Sequence, residues 1–244
     1  MTSDRIVRVS EPSYIGFRLT VLLFAAFLGA LCVWLLLGEL SRTGIDALPT
    51  DPSAASTAAK QREAALWAAR IGAIRGDLWA QSAFTYADLL FDPSNSAASS
   101  NTNLTSTAAD ARGSIDHALN NAPHQSSVWL LLAGIALRHP LPGTNATEAL
   151  KMAYYTAPSE QGLMPLRLQI ATRADRFDDI QIREFITREL RLLLRQNQKA
   201  AITDAYKTAS SAGRRLIEQT VADSDPTFAN TLVTGSIPKP ALRN

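Results

Sequence analysis

From Leu19 to Gly38 the chain runs twenty residues without one charged side chain. At a rise of ~1.5 Å per residue such a run matches a hydrocarbon core of about 30 Å, so the pattern predicts a membrane-spanning helix. A cleaved secretory signal is the competing reading, but its apolar region is about 7–15 residues long and ends in a small-x-small site. Here the run closes on Leu35, Leu36, Leu37 and Gly38, with no such site before Glu39. Arg5, Arg8 and Arg18 precede the span and Arg42 alone follows it closely. The positive-inside rule therefore puts residues 1–18 in the cytoplasm and everything after residue 38 on the other side. Ala25 and Gly29, with Ala26 and Ala30, have the small-xxx-small spacing that lets two spans pack, a pattern also common in unpaired ones.

Beyond the span the apolar pattern lapses and then resumes with a different period. Residues 39–59 are short of large apolar side chains and carry Pro49, Pro52 and a Ser/Ala/Thr cluster, the composition of a flexible tether. Residues 94–107, rich in Ser, Asn and Thr, read as a loop, and residues 231–244, with Pro238 and Pro240, as a disordered tail. Between them, over residues 60–230, the period is helical. It predicts an all-α domain of about nine helices: Lys60–Arg75, Leu78–Phe91, Ala108–Asn121, Ser126–Arg138, Ala146–Thr156, Gly162–Arg173, Asp178–Gln196, Gln198–Ala209 and Ala212–Ser224. Pro93, Pro123, Pro158 and Pro226 follow helix ends, where a missing N–H does no harm. The longest of these helices sets Ile182, Ile186, Leu190 and Leu193 on one face and Arg188, Arg191, Arg195 and Glu184 on the other.

One pattern recurs. Ala111, Ile115, Ala118 and Pro123 return as Ala146, Leu150, Ala153 and Pro158 at an offset of 35 residues, with Trp129, Leu132 and Ala133 between the two sets. These residues resemble the tetratricopeptide repeat, with residues 124–158 as the best copy and a weaker one over about 62–95. Gln81, Thr85 and Asp88 depart from the pattern in that weaker copy. The resemblance implies a right-handed array of helical hairpins in which Ala111, Ala118, Trp129, Leu132, Ala133, Ala146, Leu150, Ala153 and Pro158 are structural, with Trp129 buried between the two helices of its repeat. It also implies that a partner lies along the first helix of the repeat, at Ser127, Leu130, Leu131, Gly134, Leu137 and Arg138. Because Ser126 to Leu137 is apolar nearly all round, as buried helices are, the sequence leaves open whether that groove takes a partner or is filled by later helices of the same chain.

Composition narrows the rest. The 244 residues carry a formal net charge of +2, too little for a nucleic-acid binder, and the single cysteine, Cys32, excludes an internal disulfide. Cys32 reads as a small apolar residue of the span, since Leu31 before it is too large for a lipoprotein cleavage site. Arginine outnumbers lysine and alanine is abundant, a usage common in GC-rich bacterial genomes. The expected location is thus the bacterial inner membrane with a periplasmic domain. In a eukaryotic chain Asn103 and Asn145 would be glycosylation acceptors; here both read as chance matches. His117, His124 and His139 lack ligand spacing, and neither a phosphate loop nor a G-x-S-x-G elbow occurs, so no cofactor or metal is expected. Asp175, Asp178 and Asp179 stand where they favour a helix start. Tyr154 and Tyr155 read as packing.

Three functions fit this description. The first is a non-enzymatic scaffold that recruits other envelope proteins. The second is an accessory factor for export or assembly of an envelope polysaccharide, with Arg188, Arg191 and Arg195 on the anionic polymer. The third is an enzyme whose site is dispersed over several helices. All three share one topology, and an alkaline phosphatase fused after Asn244 is expected to be active, whereas activity only from a cytoplasmic reporter at that position would reverse the orientation.

Overall fold

The 3.6-residue apolar period is realised as helix in the computed structural model, which describes residues 12–91, 101–139, 141–175 and 177–235. In chain order the elements are α1 Pro12–Leu40, α2 Pro52–Ala59, α3 Arg62–Ile71, α4 Gly76–Phe84, a 3-10 turn Ala87–Leu90, α5 Asn101–Asn121 and α6 Ser126–Arg138. They continue as α7 Ala146–Thr156, α8 Met164–Ala171, α9 Ile180–Arg195, α10 Lys199–Thr208, α11 Ser211–Ser224 and α12 Pro226–Thr234. No strand occurs among the described residues. Within α1, Gly16–Leu40 is long and apolar enough to cross a membrane.

The expected tether is not a free linker. Asp51 caps α2 by accepting hydrogen bonds from the backbone N–H groups of Ser53 and Ala54, and Pro52 fills the first helical turn, where its missing N–H costs nothing. Ala55 and Ala58 are buried, Leu48 is in the core, and α2 packs on the 3-10 turn. A sequence poor in large side chains folds here because small ones allow close approach. The expected tail is corrected in the same way: Pro226 opens α12 under an Asp225 cap that accepts from Phe228, and residues 231–234 complete that helix with Leu232 buried. Of the expected loop, residues 101–107 are the first turns of α5, while 94–100, like 236–244, lie outside the described residues.

The end of α1 is joined to the domain by polar contacts. Glu39 receives Arg42 at 3.1 Å and Arg75 at 3.0 Å, and Arg75 also grips Asp77 at 2.6 Å. Gln81 accepts from the backbone N–H and the hydroxyl of Thr43 and donates to Asp46 at 3.0 Å. Arg62 reaches Asp88 at 3.1 Å and the Thr85 carbonyl at 3.0 Å. Gln81, Thr85 and Asp88, the three departures from the repeat pattern, are thus the residues that hold the segment after α1 and the start of α3 in place.

Neighbouring helices pair as α3–α4, α4–α5, α6–α7 and α11–α12. The later helices do not simply extend that series, because α8 packs on both α6 and α10, and α9 on α7, α8 and α11. Gly134 makes the α6–α8 approach possible: a Cβ there would meet Leu90 Cδ2 at 2.5 Å and Ile170 Cδ1 at 3.1 Å. Gly213 does the same where α11 starts over the end of α8, since a Cβ would overlap the Thr172 carbonyl oxygen. That carbonyl accepts from the Ser210 backbone N–H at 3.0 Å, and the Ser210 hydroxyl donates to Ala174 at 2.6 Å.

Backbone in the way of a new methyl group cannot step aside as a side chain can. Gly213→Ala is therefore expected to destabilise the full chain by about 1–3 kcal/mol or more, because it overpacks the α8–α11 seam. Gly113→Ala, on the exposed side of α5 with nothing within 4 Å, is expected to stabilise it by about 0.5–1 kcal/mol. Thermal melting of both variants checks the pair, and a Gly213→Ala protein that melts with its parent would mean that α11 does not sit on α8.

Candidate functional site

Helix α9 separates its two faces cleanly. Ile182, Ile186, Leu190 and Leu193 are buried, and Asp179 caps the first turn by accepting from the N–H groups of Gln181 and Ile182. Arg188, Arg191 and Arg195 lie together on the opposite, exposed face. With Arg183, Thr187 and Leu192 they line an open groove of about 610 Å³. Arg188, Arg191 and Arg195 form no ion pair with any described residue, Glu184 on the same face included. Four guanidinium groups and one carboxylate thus face outward along a little over three turns, a surface suited to carboxylate or phosphate groups.

The candidate residues of α6 fare differently. Leu130 and Leu131 are fully buried and Gly134 is closed over by Leu90 and Ile170, so these three cannot meet a partner. The chain's own 3-10 turn and α8 occupy that place. Ser127 is half-buried; Leu137, also half-buried, lines a cleft of about 440 Å³ with Phe177, Asp178 and Asp179. Arg138 is engaged with the Leu89 carbonyl at 3.4 Å. Beside it Arg173 donates to the Leu90 carbonyl at 2.9 Å, and burial together with the charge of Arg138 pulls its pKa down to about 10.

The repeat positions Ala111, Ala118, Leu132, Ala133, Leu150 and Ala153 are in the core; Ala146 is half-buried, and Pro158 is exposed in the turn after α7. Trp129 is not buried between two helices. It is half-buried against the core, and its indole N–H donates to the Pro123 carbonyl at 2.7 Å, closing the turn that leads into α6.

The sequence reading missed a buried charged cluster, which lies under α9. Arg167 on α8 is 1% exposed and Glu189 on α9 is 3% exposed. They pair through Arg167 Nη2 at 2.7 Å and Nε at 2.8 Å, both to Glu189 Oε1. Tyr154 on α7 donates its hydroxyl to Glu189 Oε2 at 2.7 Å, while the Arg167 guanidinium lies over the Tyr154 ring at 4.4 Å and donates to the Ala157 carbonyl at 2.9 Å. Phe185 stacks on Tyr154 at 4.9 Å and takes Tyr155 edge-on at 5.5 Å. Burial pushes the Glu189 carboxyl up against the opposing pull of Arg167, and burial beside that carboxylate pushes the Tyr154 phenol well up. Every charge in the cluster is matched and the space beside it is only about 30 Å³, so its role is to lock three helices together. Its signal was one arginine in the apolar run Leu163 to Ala171 and one glutamate inside the apolar stripe of α9.

Removing half of such a pair leaves the other charge buried and alone. Glu189→Ala is expected to cost about 3–5 kcal/mol, against less than about 0.5 kcal/mol for Arg191→Ala on the open face. Chemical denaturation of the two variants measures the contrast, and equal midpoints would remove the cluster from its structural role.

Comparison of the chain with protein-family models, with curated proteins and with solved structures gives no match.

Proposed function

We propose that the chain is a single-pass protein of a bacterial inner membrane, with its amino terminus in the cytoplasm and a tetratricopeptide-like helical domain in the periplasm that recruits other envelope proteins. The observation that carries this reading is the arginine row of α9, which the fold presents outward in no ion pair with any described residue, with Glu184 the one carboxylate among four guanidinium groups. Around it α9 is held rigidly, by the Asp179 cap at one end and the Glu189 cluster beneath. A rigid helix bearing charges one turn apart offers a partner fixed geometry at little ordering cost. The hairpins α4–α5 and α6–α7, closed on Ala111, Ala118, Ala133 and Ala153, support the repeat-like part of the reading. The partner this surface suits is an acidic segment of another protein. A polyanionic polysaccharide is the second reading, favoured by the regular spacing of Arg188, Arg191 and Arg195 and by the openness of their groove.

A photo-crosslinker at Thr187 in the full chain, in membranes, tests this directly. Protein adducts are expected, and the combined variant Arg188→Glu, Arg191→Glu, Arg195→Glu is expected to weaken their formation at least about tenfold at low salt, since like charges across an interface cost several kcal/mol. Adducts that survive protease digestion but yield to glycosidases would favour the polysaccharide. Undiminished adducts from a folded triple variant would exclude the row as a docking surface.

A further inference from the structure

Trp34 belongs to α1, four residues before the charge-free run ends at Gly38, or about 6 Å inside it along the helix axis. Its indole N–H donates to the Ile71 carbonyl at 2.7 Å. Ile71 ends α3, where the last carbonyls of a helix have no intrahelical partner, and the bond satisfies one of them with a side chain from α1. Gly38 brings the same two regions together, with its Cβ position 3.7 Å from Leu78 Cδ1 and 3.8 Å from Arg75 Nη1. The end of α3 is therefore level with residues of α1 that lie inside the apolar run.

Headgroups occupy about 5–8 Å on each side of the hydrocarbon layer, so a group beside Trp34 stands at the boundary between the two. The side chains around that point suit such a level. Trp67, one turn before Ile71, is 64% exposed, and Ile74, in the turn between α3 and α4, is 67% exposed. Arg70 extends over the Trp67 ring at 6.0 Å, and the only acidic residue of α3, Glu63, is at its far end. Large apolar side chains left bare beside a basic group are a poor match for water and a good one for the acyl–headgroup boundary, where tryptophan is enriched.

We propose that the end of α3 and the α3–α4 turn form a second membrane contact, with Trp67 and Ile74 inserted at the acyl–headgroup boundary of the leaflet into which α1 emerges. This rests on the reading of α1 as a membrane span. The contact seats the domain directly against the bilayer and fixes its rotation about α1, because the domain touches the surface at two points rather than hanging from one.

The test uses the full chain reconstituted into vesicles of phosphatidylcholine and phosphatidylglycerol. One environment-sensitive fluorophore is attached at native Cys32, exposed on α1, or, in a Cys32→Ser background, at Ile74→Cys, Trp67→Cys or Ile180→Cys. All four sites are exposed, so labelling leaves the packing intact. The labels at positions 74 and 67 are expected to be blue-shifted, quenched by lipids spin-labelled near the headgroup and protected from aqueous iodide, while the label at position 180 shows loss of none of its iodide quenching. A label at Cys32 quenched by lipid, with positions 74 and 67 as open to iodide as position 180, would overturn the second contact and leave the span standing. Protection from iodide without lipid quenching at 74 and 67 would also overturn it, since protein rather than lipid would then cover the site. A Cys32 label open to iodide would remove the span and the contact together.

Discussion

Three successive helices, α7, α8 and α9, meet at one buried carboxylate. Glu189 of α9 takes the Arg167 guanidinium from α8 and the Tyr154 hydroxyl from α7, and Arg167 reaches on to the Ala157 carbonyl beyond α7. A charge this deep tolerates no slack, because a shift that breaks one contact leaves its partner unpaired in a poorly solvating interior. Hydrophobic faces alone would allow α8 and α9 to slide or rotate; the cluster selects one arrangement. With α9 held this way, its apolar stripe is committed inward and Arg188, Arg191 and Arg195 are committed outward.

The same logic operates at the other end of the domain. Glu39, Arg42, Asp46, Arg75 and Gln81 form a polar girdle between the end of α1 and helices α3 and α4. Individually such partly exposed ion pairs contribute little. Their effect is geometric: they leave no free tether between the apolar helix and the domain. The proposed periplasmic scaffold would then present its arginine row at a fixed orientation to the membrane, which a hinged domain would not.

The small residues that recur in the sequence are used for helix packing in the middle of the chain. The small residues Ala111, Ala118, Ala133 and Ala153 are buried where paired helices approach, yet the surface at Leu130, Leu131 and Gly134 is taken by Leu90 and Ile170. Polar residues that break the pattern in the earlier copy are the ones that tie α3, α4 and the segment after α1 together. Departures from the recurring small-residue pattern therefore coincide with polar side chains that make contacts between elements.

By itself the sequence determined what depends on local pattern. The length and apolarity of α1, the all-α class, the helical segments from α3 to α11 and the inward stripe of α9 all follow from periodicity and caps that neighbouring residues carry. Asp51-Pro52 and Asp225-Pro226 carried a local signal too, a cap followed by a first-turn proline, but a proline among small residues reads equally as a breaker until a surface exists for α2 and α12 to cover. The tertiary structure alone decided which charges are buried and which apolar residues remain bare. Arg167 and Glu189 lie 22 residues apart, and Trp34 and Ile71 lie 37 apart, so neither contact leaves a periodic trace. Only the packing of distant helices sets whether an arginine finds its carboxylate or a tryptophan finds its carbonyl.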